Sequence, residues 1–318
     1  MSEFYFQNYF DALRGKKFSI AEKDYIFIKS SYEFILKVLW IEEKFSILLG
    51  NFYEFHESIK LTYISILESL NQEDTGQHGI NLLNRRLLNL LSSARMYLDQ
   101  VLHDSSSISQ TTELRDLHDQ IKKNTHEYYD SSVSYQVMEF MRNIMQHKFL
   151  VVRNISLVRP LFPDCDLKVV PIFVNVFLDD LKNEDNFINK IILRKEIEQF
   201  KSINIDYHSR EYILKLSDLH NIIRTSLKNE LGQYCKKINE FIDSLNGANN
   251  FTEIALLEYD GNKYVDGILV NRKILSQFNH DNFDALNFEK NFLPRKAYSS
   301  ESCVNFGGVE KISITKNK

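Results

Sequence analysis

The segment INLLNRRLLNLLSSARMYLDQVLH, residues 80–103, decides the fold class of this chain. Its apolar side chains recur at steps of three and four residues, which is the spacing of one face of an α-helix. They are Leu83, Leu87, Leu90, Leu91, Ala94, Leu98, Val101 and Leu102. Only ten glycines and four prolines occur in 318 residues, so long stretches are free of helix breakers. The sequence therefore predicts a mainly α-helical protein.

Further helices are predicted on both sides of this segment. Residues 20–72 are rich in Ile, Leu, Phe and Tyr with charges at helical intervals, and they favour two helices that meet near Gly50-Asn51. Polar composition predicts loops at residues 71–79 and 104–112. A polar helix is expected over residues 113–129, and an apolar helix, capped by Ser131 or Ser132, over residues 131–151.

The composition changes at Pro160 to Pro163, and strand signals follow. Residues 167–178 are typical of a strand, at a sheet edge because of Pro171. Helices are expected over residues 187–200 and 208–245, and Asp260-Gly261 is a turn signal for a β-hairpin over residues 252–270. We therefore expect a helical bundle over residues 1–158, an α+β accessory region over residues 159–295, and a polar, mobile tail over residues 296–318.

Composition excludes several classes of protein. The hydrophobic content of 43% supports a sizeable core, and the net charge of −4 argues against a protein that coats nucleic acid by bulk charge. Three widely separated cysteines predict neither a disulfide framework nor a cysteine zinc site, which favours a cytoplasmic location. No apolar stretch reaches the ~18 residues of a membrane span, so no membrane association is expected.

The segment EFMRNIMQH, residues 139–147, carries the chemistry that the sequence suggests. An arginine such as Arg142 can hold a phosphate through paired donors, and a histidine such as His147 can move a proton near neutral pH. Asn143 and His147 lie four residues apart, hence on one helix face. No acidic residue occurs between Glu139 and Asp164, so a polyanion can approach this segment without meeting a carboxylate from it.

Each of these residues also has a simpler interpretation. His147 can be an ordinary surface or core histidine, and Arg142 can form a salt bridge with Glu139, three residues earlier. Arginines of the long helix, namely Arg85, Arg86 and Arg95, are typical of a solvated helix face. Tyr97 and Tyr135 are better explained as core aromatics than as stacking platforms for bases.

The pattern Arg142-Asn143-x-x-x-His147, together with the phrase LSSARMYLD at residues 91–99, resembles the HEPN superfamily of nucleotide-binding and RNA-cleaving proteins. The match covers residues 80–155. This resemblance implies a helical bundle that dimerises with two motifs facing each other, and RNA cleavage without metal or cofactor. It assigns phosphate binding to Arg142, orientation to Asn143 and acid/base work to His147. Some relatives have a modifiable tyrosine where this chain has Phe149.

The candidate substrate-binding residues are Lys148, Arg153 and Arg95, of which Arg95 lies in the matched phrase. The expected function is a metal-independent endoribonuclease that cuts single-stranded RNA or tRNA loops to 2′,3′-cyclic phosphate ends. The resemblance implies a role as a toxin or in phage defence, with an antitoxin or defence-system partner. The alternative is a non-catalytic helical protein that dimerises or binds a partner or nucleotide.

We also expect a homodimer, because cleavage needs both a base and an acid and a twofold supplies two histidines. The helix at residues 131–151 is apolar on more than one face, as expected for a helix that packs both in its own bundle and on a partner. The alternative is a monomer in which residues 160–318 cover this surface.

Overall fold

The structure is a computed structural model that describes residues 2–8, 17–68, 75–160, 172–177, 202–244, 253–261, 263–278 and 309–315. Helices predominate and antiparallel strands form a smaller part, so the predicted mainly α fold with an α+β portion is confirmed. The helices are α1 (Glu22–Glu68), α2 (Thr75–Thr111), α3 (Leu117–Ser131), α4 (Val133–His147), α5 (Ile205–Ser244) and α6 (Arg272–Gln277). None of the helices in these ranges has the length and apolarity needed to cross a membrane.

Residues 22–68 form one helix, so the predicted break at Gly50-Asn51 is wrong. Gly50 is exposed, and the flanking Leu48, Leu49 and Phe52 are buried. A glycine inside a helix costs about 1 kcal/mol relative to alanine, which is less than the gain from burying one such side chain. Asn51 donates a side-chain hydrogen bond of 3.1 Å to the carbonyl oxygen of Ile47, which also favours a continuous helix.

The helix predicted over residues 80–103 is confirmed and is longer than expected. It continues to Thr111 through the serine-rich stretch that was predicted to be a loop, because Asp104, Ser105 and Ile108 lie on its buried side. It also begins inside the other predicted loop, at Thr75. There Gly79 lies against Thr62 of α1, and a Cβ atom at residue 79 would be only 2.4 Å from Thr62 Cγ2. This glycine therefore serves close helix packing and not a turn.

The motif helix is shorter than predicted, and its neighbour is slightly displaced. Ser132 caps α4, as expected, by accepting a 3.3 Å hydrogen bond from the backbone N–H of Tyr135. The helix ends at His147 and not at residue 151. Beyond it the amides of Lys148 and Phe149 both donate to the carbonyl of Ile144, and the chain then buries Val151 and Val152.

The strands form two four-stranded antiparallel sheets. The first has the order β2-β1-β6-β7, and the second the order β5-β4-β3-β8. Their bounds are Ser2–Asn8 (β1), Phe18–Ser19 (β2), Asn154–Pro160 (β3), Ile172–Phe177 (β4), Ser202–Asn204 (β5), Glu253–Asp260 (β6), Lys263–Asn271 (β7) and Val309–Thr315 (β8).

The predicted hairpin is confirmed as β6 and β7, joined at Gly261 with a positive φ of 60°. A strand within residues 167–178 is confirmed as β4, but β4 pairs with β3 and β5 and so lies inside its sheet and not at the edge. The predicted helix over residues 187–200 lies outside the described residues. Residues 309–315, within the tail expected to be mobile, instead form β8, which pairs with β3 along seven residues.

Two compact units divide the chain. The first comprises residues 1–43, 104–117 and 221–291, and it contains the sheet β2-β1-β6-β7. The second comprises residues 44–103, 118–220 and 292–318, and it contains the other sheet and the motif helix α4. The unit boundaries differ from the predicted domain boundaries at residues 158 and 295, which stay predictions.

The second unit packs parts of five helices, α1 to α5, around aromatic side chains. The ring centroids of Phe45 and Tyr97 are 5.3 Å apart, and the Tyr97 hydroxyl lies 3.0 Å from Nδ1 of His220. Tyr135 of α4 meets Tyr212 of α5 edge to face at 4.9 Å. Tyr97 and Tyr135 are therefore core aromatics, as the simpler interpretation held.

Candidate active site

The motif helix α4 separates an apolar side from a polar side. Its buried residues include Val137, Met138, Phe140, Met141, Ile144 and Met145. The polar residues Asn143, Gln146 and His147 are exposed, and Arg142 is half-buried beside them. This division arises because the apolar residues recur at three- and four-residue spacing, so that burying them turns the motif residues away from the core.

Arg142 contacts three side chains of its own helix. Its Nη2 donates a 2.8 Å hydrogen bond to Oδ1 of Asn143, and its Nη1 lies 3.4 Å from Oε1 of Gln146. Its Nε lies 3.3 Å from Oε2 of Glu139 in an ion pair. The salt bridge that was the alternative explanation for Arg142 is therefore present. The geometry of the Nε contact is not that of a hydrogen bond, so this buried nitrogen has no hydrogen-bond partner.

Glu139 connects Arg142 to the core. The hydroxyl of Tyr212 donates a 2.7 Å hydrogen bond to Oε1 of Glu139. Tyr212 is only 1% exposed, and burial together with the nearby Glu139 raises the pKa of its phenol well above the ordinary value. Its hydroxyl therefore stays protonated and able to donate. A polar chain thus leads from α5 through Glu139 to the guanidinium at the surface.

His147 is the last residue of α4 and is exposed. The structure brings Arg142 and Asn143 into contact, but within the described residues no hydrogen bond or ion pair joins His147 to either of them. Residues five apart on an α-helix point about 140° away from each other. Arg142 and His147 of one chain are therefore set to act on different sides of the helix end.

The segment after α4 is fixed by α2. The side chain of Asn84 donates a 2.8 Å hydrogen bond to the carbonyl of Val152 and accepts a 3.0 Å bond from its N–H. This contact holds the segment that carries Lys148 and Arg153. Lys148 is exposed, and the guanidinium of Arg153 lies 5.1 Å from the ring centroid of Phe149. Arg85, next to Asn84, is exposed on the same turn of α2.

Arg95 is placed differently from Lys148 and Arg153. It forms an i,i+4 ion pair with Asp99 of its own helix, with Nη2 2.8 Å from Oδ1 and Nε 3.0 Å from Oδ2. Its charge is therefore partly neutralised by a neighbouring carboxylate. Arg86 is likewise paired with Glu54 of α1. The interpretation of these two arginines as a solvated helix face is consistent with both contacts.

Sequence reasoning missed three residues of this region: Asn84, Gln146 and Tyr212. The sequence pattern could have identified Asn84, because it is a polar residue on the apolar side of a strongly periodic helix. Such a residue needs a hydrogen-bonding partner when it is buried. No sequence pattern pointed to Tyr212, because it lies 73 positions from Glu139 and the contact depends on helix packing.

A second polar cluster joins α1 to α5 in the same unit. His56 Nδ1 lies 2.8 Å from Oδ1 of Asp206, and His56 Nε2 lies 3.4 Å from Oγ of Ser209. This order of groups is that of a serine hydrolase triad. However, Ser209 is 0% exposed and donates a 2.8 Å hydrogen bond to the carbonyl of Asp206. A substrate cannot reach this hydroxyl, so the cluster serves structure.

His208 is also explained by structure. Its Nδ1 lies 2.9 Å from Oγ of Ser134 near the start of α4, and burial lowers its pKa to about 4. Among the described residues no group of three or more His, Cys, Asp or Glu side chains could hold a metal ion. The cofactor-free chemistry expected of the motif stays a prediction.

No protein-family model, curated protein or solved structure matches this chain. The resemblance to the HEPN superfamily therefore depends on the motif residues themselves.

Proposed function

We propose that this protein is a metal-independent endoribonuclease with Arg142, Asn143 and His147 as its catalytic residues. The observation that carries the proposal is the pair of half-buried Arg142 and exposed Asn143, hydrogen-bonded at 2.8 Å, on the same helix end as the exposed His147. A guanidinium fork is suited to a phosphate, and an imidazole is suited to proton transfer near neutral pH.

The reaction that suits this set is attack by a ribose 2′-hydroxyl on the adjacent phosphate. A bond forms between O2′ and phosphorus while the bond to the leaving O5′ breaks, which gives a 2′,3′-cyclic phosphate and a 5′-hydroxyl. One histidine accepts the 2′ proton, and an acid supplies a proton to O5′. The internal nucleophile is held in place by the substrate, and such proximity is worth effective molarities of ~10⁵ M or more.

A homodimer would complete the site. Because Arg142 and His147 of one helix diverge by about 140°, two copies related by a twofold can bring both motifs to one phosphodiester. The second histidine would then provide the acid that a single motif lacks. The alternative, a monomer whose remaining residues cover the motif, predicts no such sharing.

The surface beside the motif suits a polyanion. No acidic residue occurs in residues 140–163 or 79–98, and these segments are joined through Asn84 and Val152. Lys148 and Arg153 of the first segment and Arg85 of the second are cations of this surface. We propose Lys148 and Arg153 as substrate-binding residues, with Arg85 added to them and with a smaller contribution from Arg95. A role as a cytoplasmic toxin or defence nuclease with a protein partner follows from the resemblance alone.

A non-catalytic function is the second candidate. It is favoured by the ion pair between Arg142 and Glu139, which neutralises the arginine, and by the net charge of −4. In that case the bundle would serve dimerisation or the binding of a partner or nucleotide.

Cleavage of RNA by the purified chain tests the proposal. Single-stranded RNA and tRNA are incubated with wild type, His147→Ala and Arg142→Ala in EDTA, and the ends are analysed for 2′,3′-cyclic phosphates. His126→Ala is the matched control, because His126 is an exposed histidine on α3. We expect cleavage by wild type and the control only, and none of the equivalent DNA. The proposal would be contradicted if His147→Ala cleaved RNA as fast as wild type, or if EDTA abolished cleavage by wild type.

The binding residues are tested by salt dependence. Arg153→Gln and Lys148→Gln should each weaken RNA binding and reduce the slope of log affinity against log salt by about 1, as expected for one lost phosphate contact. Arg115→Gln, which removes the same charge at an exposed site of the other unit, should leave the slope unchanged.

A further inference from the structure

Arg142 is held by a charged group, Glu139, on its inner side. The carboxylate of Glu139 uses its two oxygens for different partners: Oε1 accepts from the Tyr212 hydroxyl at 2.7 Å, and Oε2 lies 3.3 Å from Arg142 Nε. The Glu139 and Arg142 side chains are 12% and 17% exposed. A carboxylate bound at both oxygens has a fixed plane, so its contact with the guanidinium is directional.

Tyr212 is itself immobilised. It is 1% exposed on α5, and its ring packs edge to face against Tyr135 with centroids 4.9 Å apart. The position of Arg142 is therefore fixed by a buried core residue, Tyr212, through the carboxylate of Glu139. An exposed ion pair without such support contributes little and fixes no geometry.

Within the part of the chain that the structure describes, the outer side of the guanidinium meets the neutral side chains of Asn143 and Gln146. Nη2 donates to Oδ1 of Asn143 at 2.8 Å, and Nη1 lies 3.4 Å from Oε1 of Gln146, and both residues are exposed. A phosphate oxygen is a stronger acceptor for an arginine than an amide oxygen. An approaching phosphate would therefore replace the amide of Gln146, the longer contact, and leave the carboxylate of Glu139 in place.

The buried Nε shows that the resting position is not optimal for hydrogen bonding. It faces Glu139 at 3.3 Å without hydrogen-bond geometry, and an unsatisfied buried donor costs about 1–3 kcal/mol. A small rotation of the guanidinium as its outer nitrogens engage a phosphate would let Nε donate fully to Glu139. Substrate binding and anchoring would then favour each other.

We propose that Glu139 and Tyr212 are positioning residues that aim Arg142 at the scissile phosphate, and that Gln146 is a displaceable neutral cap on the same guanidinium. This inference rests on the proposed ribonuclease function. It predicts that loss of Glu139 changes the rate of RNA cleavage and the affinity for RNA in different ways. Glu139 reduces the net charge at Arg142, so its loss should not weaken RNA binding, but an arginine that is no longer aimed should slow the chemical step.

The test compares Glu139→Gln, Tyr212→Phe and Gln146→Ala in the full chain. Cleavage rates are measured with saturating single-stranded RNA, and binding is measured with the 2′-deoxy analogue of the same oligonucleotide. We expect Glu139→Gln to lower kcat about 10- to 100-fold with equal or tighter binding. Tyr212→Phe should lower kcat less, by about 3- to 10-fold, and Gln146→Ala should tighten binding about 2- to 5-fold without a loss of kcat.

The matched control is Glu127→Gln, which makes the same substitution in a different intrahelical ion pair, at the surface of α3, where Glu127 lies 3.7 Å from Lys123. It should change neither quantity. Thermal unfolding of each variant gives the folded fraction at the assay temperature. The inference is overturned if Glu139→Gln keeps the wild-type kcat, if it weakens binding in step with the rate, or if its rate loss equals the loss of folded protein.

A second readout does not depend on activity. The ¹⁵N–¹H resonance of Arg142 Nε, assigned by its absence in Arg142→Lys, should shift in Glu139→Gln and Tyr212→Phe and stay in place in Glu127→Gln. If wild type cleaves no RNA, the proposed function fails while this resonance still decides the anchoring. An unchanged resonance in Glu139→Gln would overturn the inference even in an active enzyme.

Discussion

The side-chain amide of Asn84 forms two hydrogen bonds with the backbone of one residue, Val152, which follows the motif helix by five positions. The side chain also donates to the carbonyl of Ile80 in its own helix at 3.0 Å. Asn84 is 2% exposed and Val152 is 1% exposed. A single residue of α2 thereby fixes where the chain goes after α4.

Replacement of Asn84 by leucine should destabilise the protein and weaken RNA binding. Leucine has the same branched arrangement of heavy atoms but leaves the N–H and carbonyl of Val152 buried without partners, which costs about 2–4 kcal/mol in total. Urea denaturation measures this cost, and the RNA affinity should fall because Lys148 and Arg153 lose their fixed backbone. The exposed Asn89 of the same helix supplies the control, since Asn89→Leu should cost less than about 0.5 kcal/mol.

Acid should destabilise the protein between about pH 6.5 and pH 4, partly through His208. Burial lowers the pKa of His208 to about 4 in the folded state, so the unfolded chain binds the proton more readily. Its contribution is present above pH 6.5 and is lost as the pH falls towards 4, with a total of about 3 kcal/mol. His56 shifts in the same direction, because burial lowers its pKa as well.

His208→Gln should make the stability less dependent on pH across this window, as followed by urea unfolding at several pH values. Glutamine can still bond with Ser134 but does not titrate. A profile for His208→Gln that parallels wild type over pH 4–6.5 would show that His208 is not the responsible group.

The buried ion pair of the first unit should be costly to break and cheap to replace. Arg224 of α5 donates two hydrogen bonds to Glu42 of α1, of 2.8 and 2.6 Å, and the two residues are 9% and 8% exposed. Glu42→Gln leaves a buried guanidinium without its counter-charge and should lower the free energy of unfolding by about 3–5 kcal/mol. The double variant Glu42→Leu/Arg224→Met should stay within about 2 kcal/mol of wild type. A double variant as unstable as the single one would refute this account.

Mixing experiments should reveal a shared site. If both histidines act on one phosphate, a tenfold excess of His147→Ala chains should place most wild-type chains in mixed dimers and remove most of their activity. RNA is kept in excess so that the variant cannot compete for substrate. Light scattering supplies the independent measure, with a mass of twice 37.5 kDa expected. Unaltered wild-type activity at full chain exchange, or a mass of one chain, would exclude the shared site.

The sequence predicted the helices where apolar periodicity was strong, and it failed where tertiary contacts override local signals. The serine-rich stretch at residues 104–112 looked like a loop, yet burial of Ile108 and a 2.7 Å hydrogen bond from Lys37 to Ser107 accompany its helical form. Likewise β1 was not predicted, because a strand with buried Phe4 and Phe6 exists only when β6 pairs with it.

The candidate site was partly predictable for the same reason. Spacing along one helix was sufficient to place Asn143 beside Arg142 and to suggest the pair with Glu139. The contribution of Tyr212 could not be predicted, since it depends on how α5 packs against α4, and the sequence gives no measure of that packing.

The close approach of α1 and α2 at Gly79 has a consequence for how this chain can change over evolutionary time. Because a methyl group at residue 79 would overlap Thr62, any substitution there must be matched by a smaller side chain at residue 62. Divergent descendants of this sequence should therefore show the two positions varying together, with alanine at residue 79 found alongside glycine, alanine or serine at residue 62. Substitutions at the two positions should therefore be inherited together, although the positions lie seventeen apart in the sequence.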